Sequence, residues 1–496
     1  MALSLASVLA ESALRHPERT AVVFGSQRTS YAQLWEQALR YASFFRRQGV
    51  TPGERVAILL LNAPDFPAAY YGVLAAGAVV VPVHALLTAE EISFVLADAG
   101  AKALVCSPQL ATQGRAACES AGVLFVESGV PDDEAMDQMV LREAEADAVV
   151  LYTSGTTGRP KGAVLTHNNL VLNCTVVAHD LFQITHEDVL LGALPLFHAF
   201  GQTCVMNAAF RVGASIVLMP RFDGETALQL MVECEVTVVS GVPTMYIALL
   251  DAARKNPSRP PLRRCCAGGS ASPVAVLERF EEVFGVPIYE GYGLSETSPV
   301  ASFNQQEFGR KPGTVGRGIW GVEVAIADAE LADRVRLLPQ DELGEIVIRG
   351  HCVFKGYLNN PEATREAIVD GWFRSGDLGT RDEDGFVTIV DRKKDLIIRG
   401  GFNVYPREVE EVMMRHPAVK QVAVIGVPHD THGEEIVAVV LREEALEITA
   451  EALIAWSQEH LARHKYPRHV HFIEAMPLGP SGKVLKRVLR ERVYAH

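Results

Sequence analysis

From the sequence we expect a chain without three features that would assign it to a specialised class: paired cysteines, a leader peptide and a long apolar run. Its eight cysteines are scattered, no C-x-x-C pair occurs, and the adjacent Cys265 and Cys266 do not have metal-ligand spacing. The amino-terminal residues carry no basic region before their apolar stretch and are typical of an amphipathic helix in a mature protein. We therefore expect buried, reduced thiols and a cytoplasmic location.

The longest stretch without a charged residue spans residues 66–89 and is interrupted by Gly72, Gly77, Pro82 and His84. A membrane-spanning helix needs ~20 predominantly apolar residues. A buried helix followed by a buried strand explains the stretch better, so we expect a soluble protein without a transmembrane segment.

Basic residues are fewer than acidic ones: the chain has 46 Lys and Arg and 60 Asp and Glu, which give a formal net charge of −14. This balance argues against non-specific binding to nucleic acid. What the chain does have is length and apolar material: 496 residues, 48% of them hydrophobic. Both predict at least two globular domains with sizeable cores.

Helix and strand patterns alternate over most of the chain. Residues 31–45 form one predicted helix, whose apolar face consists of Leu34, Ala38, Tyr41 and Phe45. The strands that alternate with such helices, RVAILLLN among them, are continuously apolar. Continuous apolar strands predict a parallel sheet covered on both faces, and therefore an α/β fold with doubly wound sheets.

The pattern changes after about residue 310, where short strands between Gly and Asp residues predict antiparallel pieces. Residues 391–416 then place several charges and a double glycine between a strand and a helix, which is typical of a hinge. The last hundred or so residues predict a small α+β domain.

The stretch LYTSGTTGRPKGAVLTH, residues 151–167, has the composition of a phosphate-binding loop. It is not a Walker loop, because Pro160 stands where that pattern has the glycine before its lysine, Lys161. Backbone N–H groups and hydroxyls can hold phosphate oxygens, and the lysine supplies a charge. A surface turn is the alternative, but a buried strand enters the loop and its polar residues are dense: Thr153, Ser154, Gly155, Thr156, Thr157 and Gly158.

Three charged residues elsewhere are candidates for the same chemistry. Glu296 follows a Gly-rich turn and is a candidate Mg²⁺ ligand, although a helix N-terminal acid is the commoner role. Asp377 can accept hydrogen bonds from ribose hydroxyls, although S-G-D-x-G is also an ordinary turn. Lys483, taken alone, is a solvated lysine. Their order and spacing along the chain decide between these alternatives.

Taken together, these stretches resemble the adenylate-forming superfamily of acyl-CoA synthetases, peptide-synthetase adenylation domains and luciferase. The matching motifs cover nearly the whole chain: YTSGTTGRPKG (152–162), LPLFHAFG (194–201), AGGSASP (267–273), YEGYGLSETSP (289–299), YLNNPEAT (357–364), GWFRSGDLG (371–379), VDRKKDLIIRGGFNVYPREVE (390–410) and GPSGKVLKR (479–487).

The resemblance implies that ATP and a carboxylate form acyl-AMP and pyrophosphate. The loop 153–161 would hold the β- and γ-phosphates, Ser295 the α-phosphate, and Glu296 with Thr153 the Mg²⁺ ion. Adenine would lie between the segment 268–270 and Tyr292, and Asp377 and Arg392 would bind the ribose hydroxyls. The residues in these nucleotide contacts would be Gly268, Gly269, Ser270, Tyr292, Gly293, Asp377 and Arg392.

The resemblance also implies that Lys483 bridges the acyl carboxylate and the α-phosphate, where a cation offsets repulsion between two anions. A large domain, residues 1–392, would contain doubly wound mixed sheets and a smaller β-barrel-like portion. A small mobile α+β domain, residues 393–496, would rotate about a hinge near Lys394. Gly400 and Gly401 would then line a passage for the pantetheine arm of coenzyme A. His198 would orient or gate the reactants, and a general base is the alternative role.

Among relatives of this kind, the bacterial medium- and long-chain fatty acyl-CoA synthetases match best, and an apolar stretch after His198 is suited to an alkyl chain. Gln202, four residues after His198, replaces a Trp that gates the fatty-acid tunnel in some long-chain members. A CoA ligase for aromatic or short carboxylates therefore stays an alternative, as does an acyl-AMP ligase that loads a carrier protein. The sequence leaves open a monomer or homodimer and peripheral membrane contact.

Overall fold

The computed structural model describes residues 3–153, 160–270, 272–393, 395–429, 431–443, 446–479 and 484–494. Helices and strands alternate in the first part of the chain, as predicted. These elements are α1 Ser7–Arg15, β1 Thr20–Phe24, β2 Gln27–Ser30, α2 Tyr31–Arg47, β3 Arg55–Leu59, α3 Asp65–Ala75, β4 Val79–Pro82, α4 Ala89–Ala99, β5 Ala101–Cys106, α5 Ala111–Ala121, β6 Leu124–Glu127, β7 Asp147–Thr153, β8 Lys161–Thr166 and α6 His167–Val176.

The alternation continues beyond β8 and includes two π-helical segments, Val177–Leu181 and Gly201–Asn207, and a short 3₁₀ turn, Ser295–Thr297. The regular elements here are β9 Val189–Gly192, α7 Ala208–Val212, β10 Ser215–Leu218, α8 Gly224–Glu233, β11 Val238–Gly241, α9 Pro243–Lys255, β12 Arg264–Ala267, α10 Val274–Phe284, β13 Ile288–Gly293, β14 Val300–Phe303 and β15 Arg317–Gly318.

The remaining elements are mostly strands. They are β16 Val322–Ala327, β17 Gly344–Gly350, β18 Gly356–Tyr357, α11 Pro361–Ala367, β19 Ile368–Val369, β20 Trp372–Arg381, β21 Val387–Arg392, β22 Ile397–Arg399, β23 Phe402–Val404, α12 Pro406–Met413, β24 Val419–His429, β25 Gly433–Arg442, α13 Ala450–His460, β26 His469–Ile473 and α14 Lys486–Tyr494.

Two large sheets form the first three-quarters of the fold. One has the strand order β15-β14-β13-β12-β11-β9-β10-β1-β2 and the other β18-β8-β7-β4-β3-β5-β6. The central strands of both sheets are parallel, whereas the pairs towards the ends are antiparallel: β1–β2, β13–β14, β14–β15, β7–β8 and β8–β18. The prediction of doubly wound mixed sheets is therefore confirmed.

Two smaller sheets complete the chain. The first, β16-β17-β20-β19 with β21 on β20, is wholly antiparallel and corresponds to the predicted β-barrel-like portion. The second, β23-β22-β25-β24 with β26 on β25, belongs to the small α+β unit at the end of the chain. Hydrophobic clusters pack on both faces of this last sheet.

Local sequence signals explain where these elements begin and what they bury. Thr88 caps α4 through its hydroxyl, which accepts from the Glu91 backbone N–H at 3.3 Å, and Glu91 accepts from the Thr88 N–H at 2.8 Å. This is a capping box, as the sequence indicates. The predicted apolar face of α2 is buried at Leu34, Ala38, Tyr41 and Phe45.

The described cysteines are all free, and seven are buried while Cys234 is half-buried. No helix in the described part of the chain is long and apolar enough to cross a membrane.

Candidate active site

The hairpin β7–β8 holds the two ends of the predicted phosphate loop side by side. Thr153, the last residue of β7, pairs in register with Lys161, the first residue of β8. The loop residues between them, among which the prediction named Ser154, Gly155, Thr156, Thr157 and Gly158, lie outside the described residues.

A tight turn after β13 presents Glu296. The turn needs glycine at position 293, because a Cβ there would lie 1.6 Å from the backbone oxygen of Pro299. Thr297 stabilises the same turn: its hydroxyl accepts from the Leu294 N–H at 2.8 Å and donates to the Pro299 carbonyl at 2.6 Å. Ser295, which the resemblance assigns to the α-phosphate, is half-buried at the start of the turn. The sequence thus builds a rigid support under Glu296.

The carboxylate of Glu296 is only 8% exposed and meets two hydroxyls. The Tyr357 hydroxyl donates to its Oε1 at 2.9 Å, and the Thr153 hydroxyl donates to the same oxygen at 3.4 Å. Burial raises the pKa of Glu296, and these two hydrogen bonds oppose the shift. The structure therefore brings the ends of the phosphate loop and the predicted magnesium ligand together.

The donor set at this position fits Mg²⁺. A carboxylate and a hydroxyl are hard oxygen ligands, and Mg²⁺ typically binds through one or two carboxylates together with substrate phosphates. Among the described residues no three His, Cys, Asp or Glu side chains cluster as a self-sufficient metal site. A metal held here would need the phosphate oxygens to complete its coordination, as the sequence predicts for Glu296 and Thr153.

A second cluster forms where β20 pairs with β21. Asp377 and Arg392 are register partners, and the Arg392 Nε lies 3.4 Å from Asp377 Oδ1. The Tyr292 hydroxyl donates to Asp377 Oδ2 at 2.6 Å, and burial raises the pKa of that hydroxyl. Asp377 is buried while the Arg392 side chain is 47% exposed. A buried acceptor beside a half-exposed cation can bind paired hydroxyls such as those of ribose.

The segment predicted to contact adenine follows β12, which runs parallel to β13. A Cβ on Gly268 would lie 3.5 Å from the backbone oxygen of Gly291, so the segment passes close to the strand that carries Tyr292. Gly269 has φ +80°, in the left-handed region that favours glycine, and Ser270 after it is exposed. Gly268 therefore lies beside the strand that carries Tyr292, and the adenine contact itself stays a prediction.

His198 begins the helical segment that follows β9. Its backbone N–H donates to the Pro195 carbonyl at 3.1 Å, and its own carbonyl accepts from the Gln202 N–H at 3.0 Å. The ring of Phe200 lies 3.4 Å from a Cβ built on Gly268. The segment after His198 therefore packs against the predicted adenine segment.

The small sheet supplies fewer described site residues. Gly400 and Gly401, in the turn between β22 and β23, have φ values of +57° and +81°, which favour glycine. The predicted hinge residue Lys394 and the predicted catalytic residue Lys483 lie outside the described residues.

Polar contacts join the small sheet and its helices to the rest of the chain. The Arg407 N–H donates to Asp391 Oδ2 at 3.1 Å and its Nη1 donates to the Ile389 carbonyl at 2.6 Å. Lys420 Nζ lies 2.6 Å from Asp251 Oδ2. Arg407 thus bonds to β21, on the other side of the predicted hinge, and Lys420 joins β24 to α9.

The sequence did not indicate the role of Tyr357. Its motif, YLNNPEAT, carried part of the resemblance, but nothing in the motif tells which residue the tyrosine contacts. Tyr357 is 61 residues from Glu296 in the chain, and the pairing of β18 with β8, together with the bond from the Phe354 N–H to the Glu296 carbonyl, brings the two side chains together.

Comparison with known proteins agrees with this geometry. The family model described as AMP-binding enzyme matches residues 9–358, and the AMP-binding enzyme C-terminal domain matches residues 408–483. A long-chain-fatty-acid–CoA ligase of Bacillus subtilis is 33% identical over 98% of this chain and 94% of the relative. A feruloyl-CoA synthase of an Amycolatopsis species is 38% identical over 96% of each chain.

Among solved structures, the ATP-bound MatB of Rhodopseudomonas palustris aligns over 99% of each chain, with a TM-score of 0.92 and 33% identity. The family models and the named relatives thus identify an ATP-dependent acid–thiol ligase, and the fold and the two carboxylate clusters agree with it. The chain belongs to the AMP-binding enzyme family and is an AMP-forming acyl-CoA synthetase, which uses ATP, Mg²⁺, CoA and a small carboxylate.

Proposed function

We propose that this enzyme activates a fatty acid as acyl-AMP, with release of pyrophosphate, and then transfers the acyl group to CoA. The observation that supports the choice of acid is the similarity to a long-chain-fatty-acid–CoA ligase over 98% of this chain, together with the apolar segment that follows His198. Phe200 on this segment packs beside the predicted adenine segment, whereas Met206 and Phe210 lie in the core, where the Phe210 ring contacts Tyr31. An alkyl chain buried beside apolar side chains such as Phe200 gains ~0.8 kcal/mol per CH₂.

In the first half-reaction the carboxylate oxygen of the acid attacks the α-phosphorus of ATP, and the bond to pyrophosphate breaks. Thr153, Lys161 and the loop between them hold the phosphates that leave, while Ser295 orients the α-phosphate. Asp377 and Arg392 bind the ribose hydroxyls, and Tyr292 supports Asp377 through the 2.6 Å hydrogen bond. Fixed positions of this kind remove much of the entropic barrier.

Glu296 and Thr153 would hold Mg²⁺ beside the phosphates. When bound, the ion offsets negative charge on the phosphate oxygens. Lys483 places a second positive charge between the acid and the α-phosphate, where two anions must approach.

In the second half-reaction the sulfur of CoA attacks the acyl carbon and AMP leaves. We propose that the chain divides into residues 1–392 and 393–496, and that the smaller part rotates near Lys394 to withdraw Lys483. Gly400 and Gly401 then line the path of the pantetheine arm, and His198 orients the reacting groups. Sheet membership supports this division, because β21 ends at Arg392 on one sheet and β22 begins another.

We further propose a cytoplasmic enzyme that acts as a monomer or homodimer and contacts membranes at most peripherally. Fractionation and measurement of its mass in solution test these points.

The experiment that tests the assignment is AMP release from purified protein supplied with ATP, Mg²⁺, CoA and one acid at a time. The acids are saturated fatty acids of increasing length, benzoate and cinnamate. We expect AMP only when acid and CoA are both present, with the best rates on a fatty acid. A carrier protein that replaces CoA with better efficiency would overturn the assignment of CoA as acceptor.

Gln202 favours a second candidate acid. Its side-chain amide is 1% exposed, and neither amide atom has a hydrogen-bond partner among the described residues. A buried amide left unpaired is costly, and an oxygen on the substrate would satisfy it. An oxygenated aromatic acid supplies such a group, and the feruloyl-CoA synthase is among the relatives.

Gln202→Leu separates the two candidates in the same assay. If the substrate is an unsubstituted fatty acid, the variant retains or improves its kcat/KM. If the substrate is an oxygenated aromatic acid, kcat/KM for that acid falls about tenfold while kcat/KM for the analogue lacking the oxygen does not.

A further inference from the structure

We propose that Tyr357 is a positioning residue that organises the magnesium–ATP site before nucleotide binds. Its hydroxyl holds the carboxylate of Glu296, and its ring lies under the ammonium group of Lys161. This inference rests on the proposed role of Glu296 as the metal ligand and adds a residue to which neither the resemblance nor the reaction assigns a role.

The backbone of Tyr357 is fixed against the strand that leaves the phosphate loop. The short strand β18 pairs antiparallel with β8, so that Tyr357 lies opposite Ala163. On either side of this pair, the Leu358 N–H donates to the Gly162 carbonyl at 2.7 Å and the Lys355 N–H donates to the Val164 carbonyl at 2.9 Å. Any displacement of β8 therefore moves Tyr357 with it.

The same short segment also contacts the turn that carries Glu296. The Phe354 N–H donates to the Glu296 backbone carbonyl at 2.9 Å, and the Tyr357 hydroxyl donates to the Glu296 side chain at 2.9 Å. The rings of Phe354 and Tyr357 pack edge to face with centroids 4.8 Å apart. Residues 354–357 thus join the phosphate-loop strand to the metal-ligand turn.

The third contact involves charge. Lys161 Nζ lies 5.4 Å from the centroid of the Tyr357 ring, within the range of a cation–π interaction. The aromatic face attracts the ammonium group, and the hydroxyl edge attracts the carboxylate. Tyr357 thus contacts both Lys161, which would bind phosphate, and Glu296, which would bind the metal, and it fixes their positions relative to each other.

Two substitutions separate these contacts. Tyr357→Phe removes the hydroxyl that holds Glu296 but keeps the ring under Lys161, whereas Tyr357→Leu removes both. Calorimetric titration of ATP into the full chain without any acid reports binding in the absence of turnover. Repeating the titration at increasing Mg²⁺ concentrations gives the concentration at which the ion exerts half of its effect on ATP affinity.

We expect Tyr357→Phe to raise that Mg²⁺ concentration about tenfold, as for loss of a hydrogen bond to a charged group, and to leave ATP affinity without Mg²⁺ unchanged. Tyr357→Leu should show the same rise and also weaken ATP binding without Mg²⁺ about threefold. A wild-type Mg²⁺ response in Tyr357→Phe would overturn the inference.

Two controls make the result specific. Tyr31→Phe removes a different tyrosine hydrogen bond, buried, 2.6 Å to the Ala214 carbonyl and away from the site, and should leave the Mg²⁺ response unchanged. Glu296→Gln should reduce that response more than Tyr357→Phe does. If Glu296→Gln changes the Mg²⁺ response and Tyr357→Phe does not, the role proposed for Tyr357 is wrong and the metal site stands. If neither Glu296→Gln nor Tyr357→Phe changes the response, the metal site itself is wrongly placed.

Discussion

The two halves of the site are held together in different ways. In the large part of the chain, Glu296 and Asp377 are 8% and 6% exposed, and their carboxylates accept hydrogen bonds from the half-buried Tyr357 and the buried Tyr292. The small carboxyl-terminal part meets the rest partly through more exposed ion pairs, such as Lys420 with Asp251, whose side chains are 22% and 32% exposed.

This contrast supports the proposal that the small part moves relative to the large one. Breaking a buried hydrogen bond to a charged group costs about 1.5–3 kcal/mol, whereas an exposed ion pair contributes about 0–1 kcal/mol. The nucleotide-binding part is therefore preorganised, and the Lys420–Asp251 ion pair can be exchanged at low cost. The bonds from Arg407 to the buried Asp391 and to the Ile389 carbonyl, next to the predicted hinge, cost more to break. This contrast is what a two-step reaction with one rearrangement between the steps requires.

The largest expected effect comes from Lys483, which the small part would deliver. Lys483→Ala should slow acyl-AMP formation by about 10²–10³-fold, since a cation at the developing charge is lost. Thioester formation from synthetic acyl-AMP and CoA should stay near the wild-type rate. Rapid-quench measurement of both half-reactions checks this. An equal loss in both would mean that Lys483 is not withdrawn between the first half-reaction and the second.

Glu290 lies in the large part near Arg407 of the small part, and the pH dependence of stability tests how deeply its carboxyl is buried. This carboxyl is 4% exposed, and burial raises its pKa to about 7, opposed by the hydrogen bond from the Gly313 N–H and by the charge of Arg407. Above pH 7 the folded protein carries a buried charge that the unfolded chain solvates. Stability should therefore rise as the pH falls from 7 towards 4.5, the ordinary value.

Glu290→Gln should accordingly raise the free energy of unfolding by up to about 3 kcal/mol at pH 8 and by almost nothing near pH 4.5. Denaturant unfolding at both pH values measures it, with Glu323→Gln on an exposed surface as the control. A gain that is equal at both pH values would show that Glu290 is not buried as described.

Asp377 probes the preorganised half directly. Asp377→Ala should raise the KM for ATP by about tenfold or more, because a buried acceptor for hydroxyls is lost and Tyr292 loses its partner. The KM for the acid should change little. Steady-state kinetics with each substrate varied in turn checks this; a defect confined to the acid would place Asp377 at the wrong substrate.

The smallest effect is expected at the interface. Lys420→Met removes the ion pair with Asp251 and should change the balance of the two half-reactions by no more than about threefold, with stability nearly unchanged. A loss of tenfold or more in either half-reaction would show that the small part is attached more rigidly than its exposed contacts imply.

Much of this organisation could be predicted from the sequence, because local patterns carry it. The Thr88–Glu91 capping box and the apolar face of α2 follow from spacing alone, and both are present. The pairing of Asp377 with Arg392 fits the resemblance, because both lie in motifs whose order is fixed. Motifs of this kind indicate which residues form a site, but they do not give the distances or hydrogen bonds between those residues.

The contacts that the sequence missed depend on distant pairings. Tyr357 reaches Glu296 because a two-residue strand adds to the edge of a sheet formed much earlier in the chain and because the Phe354 N–H bonds to the Glu296 carbonyl. Tyr292 was expected beside adenine, and its hydroxyl bond to Asp377 arises from the approach of β13 to β20 across two different sheets. No periodicity or local motif encodes such an approach.

The measurement that tests the central claim most directly is a single-turnover experiment on the unmodified enzyme with ATP, Mg²⁺ and its best acid. Without CoA, we predict a burst of about one pyrophosphate per enzyme with AMP retained as acyl-AMP, followed by AMP release when CoA is added. Release of ADP and phosphate, or no pyrophosphate until CoA is present, would contradict a reaction in two separate halves.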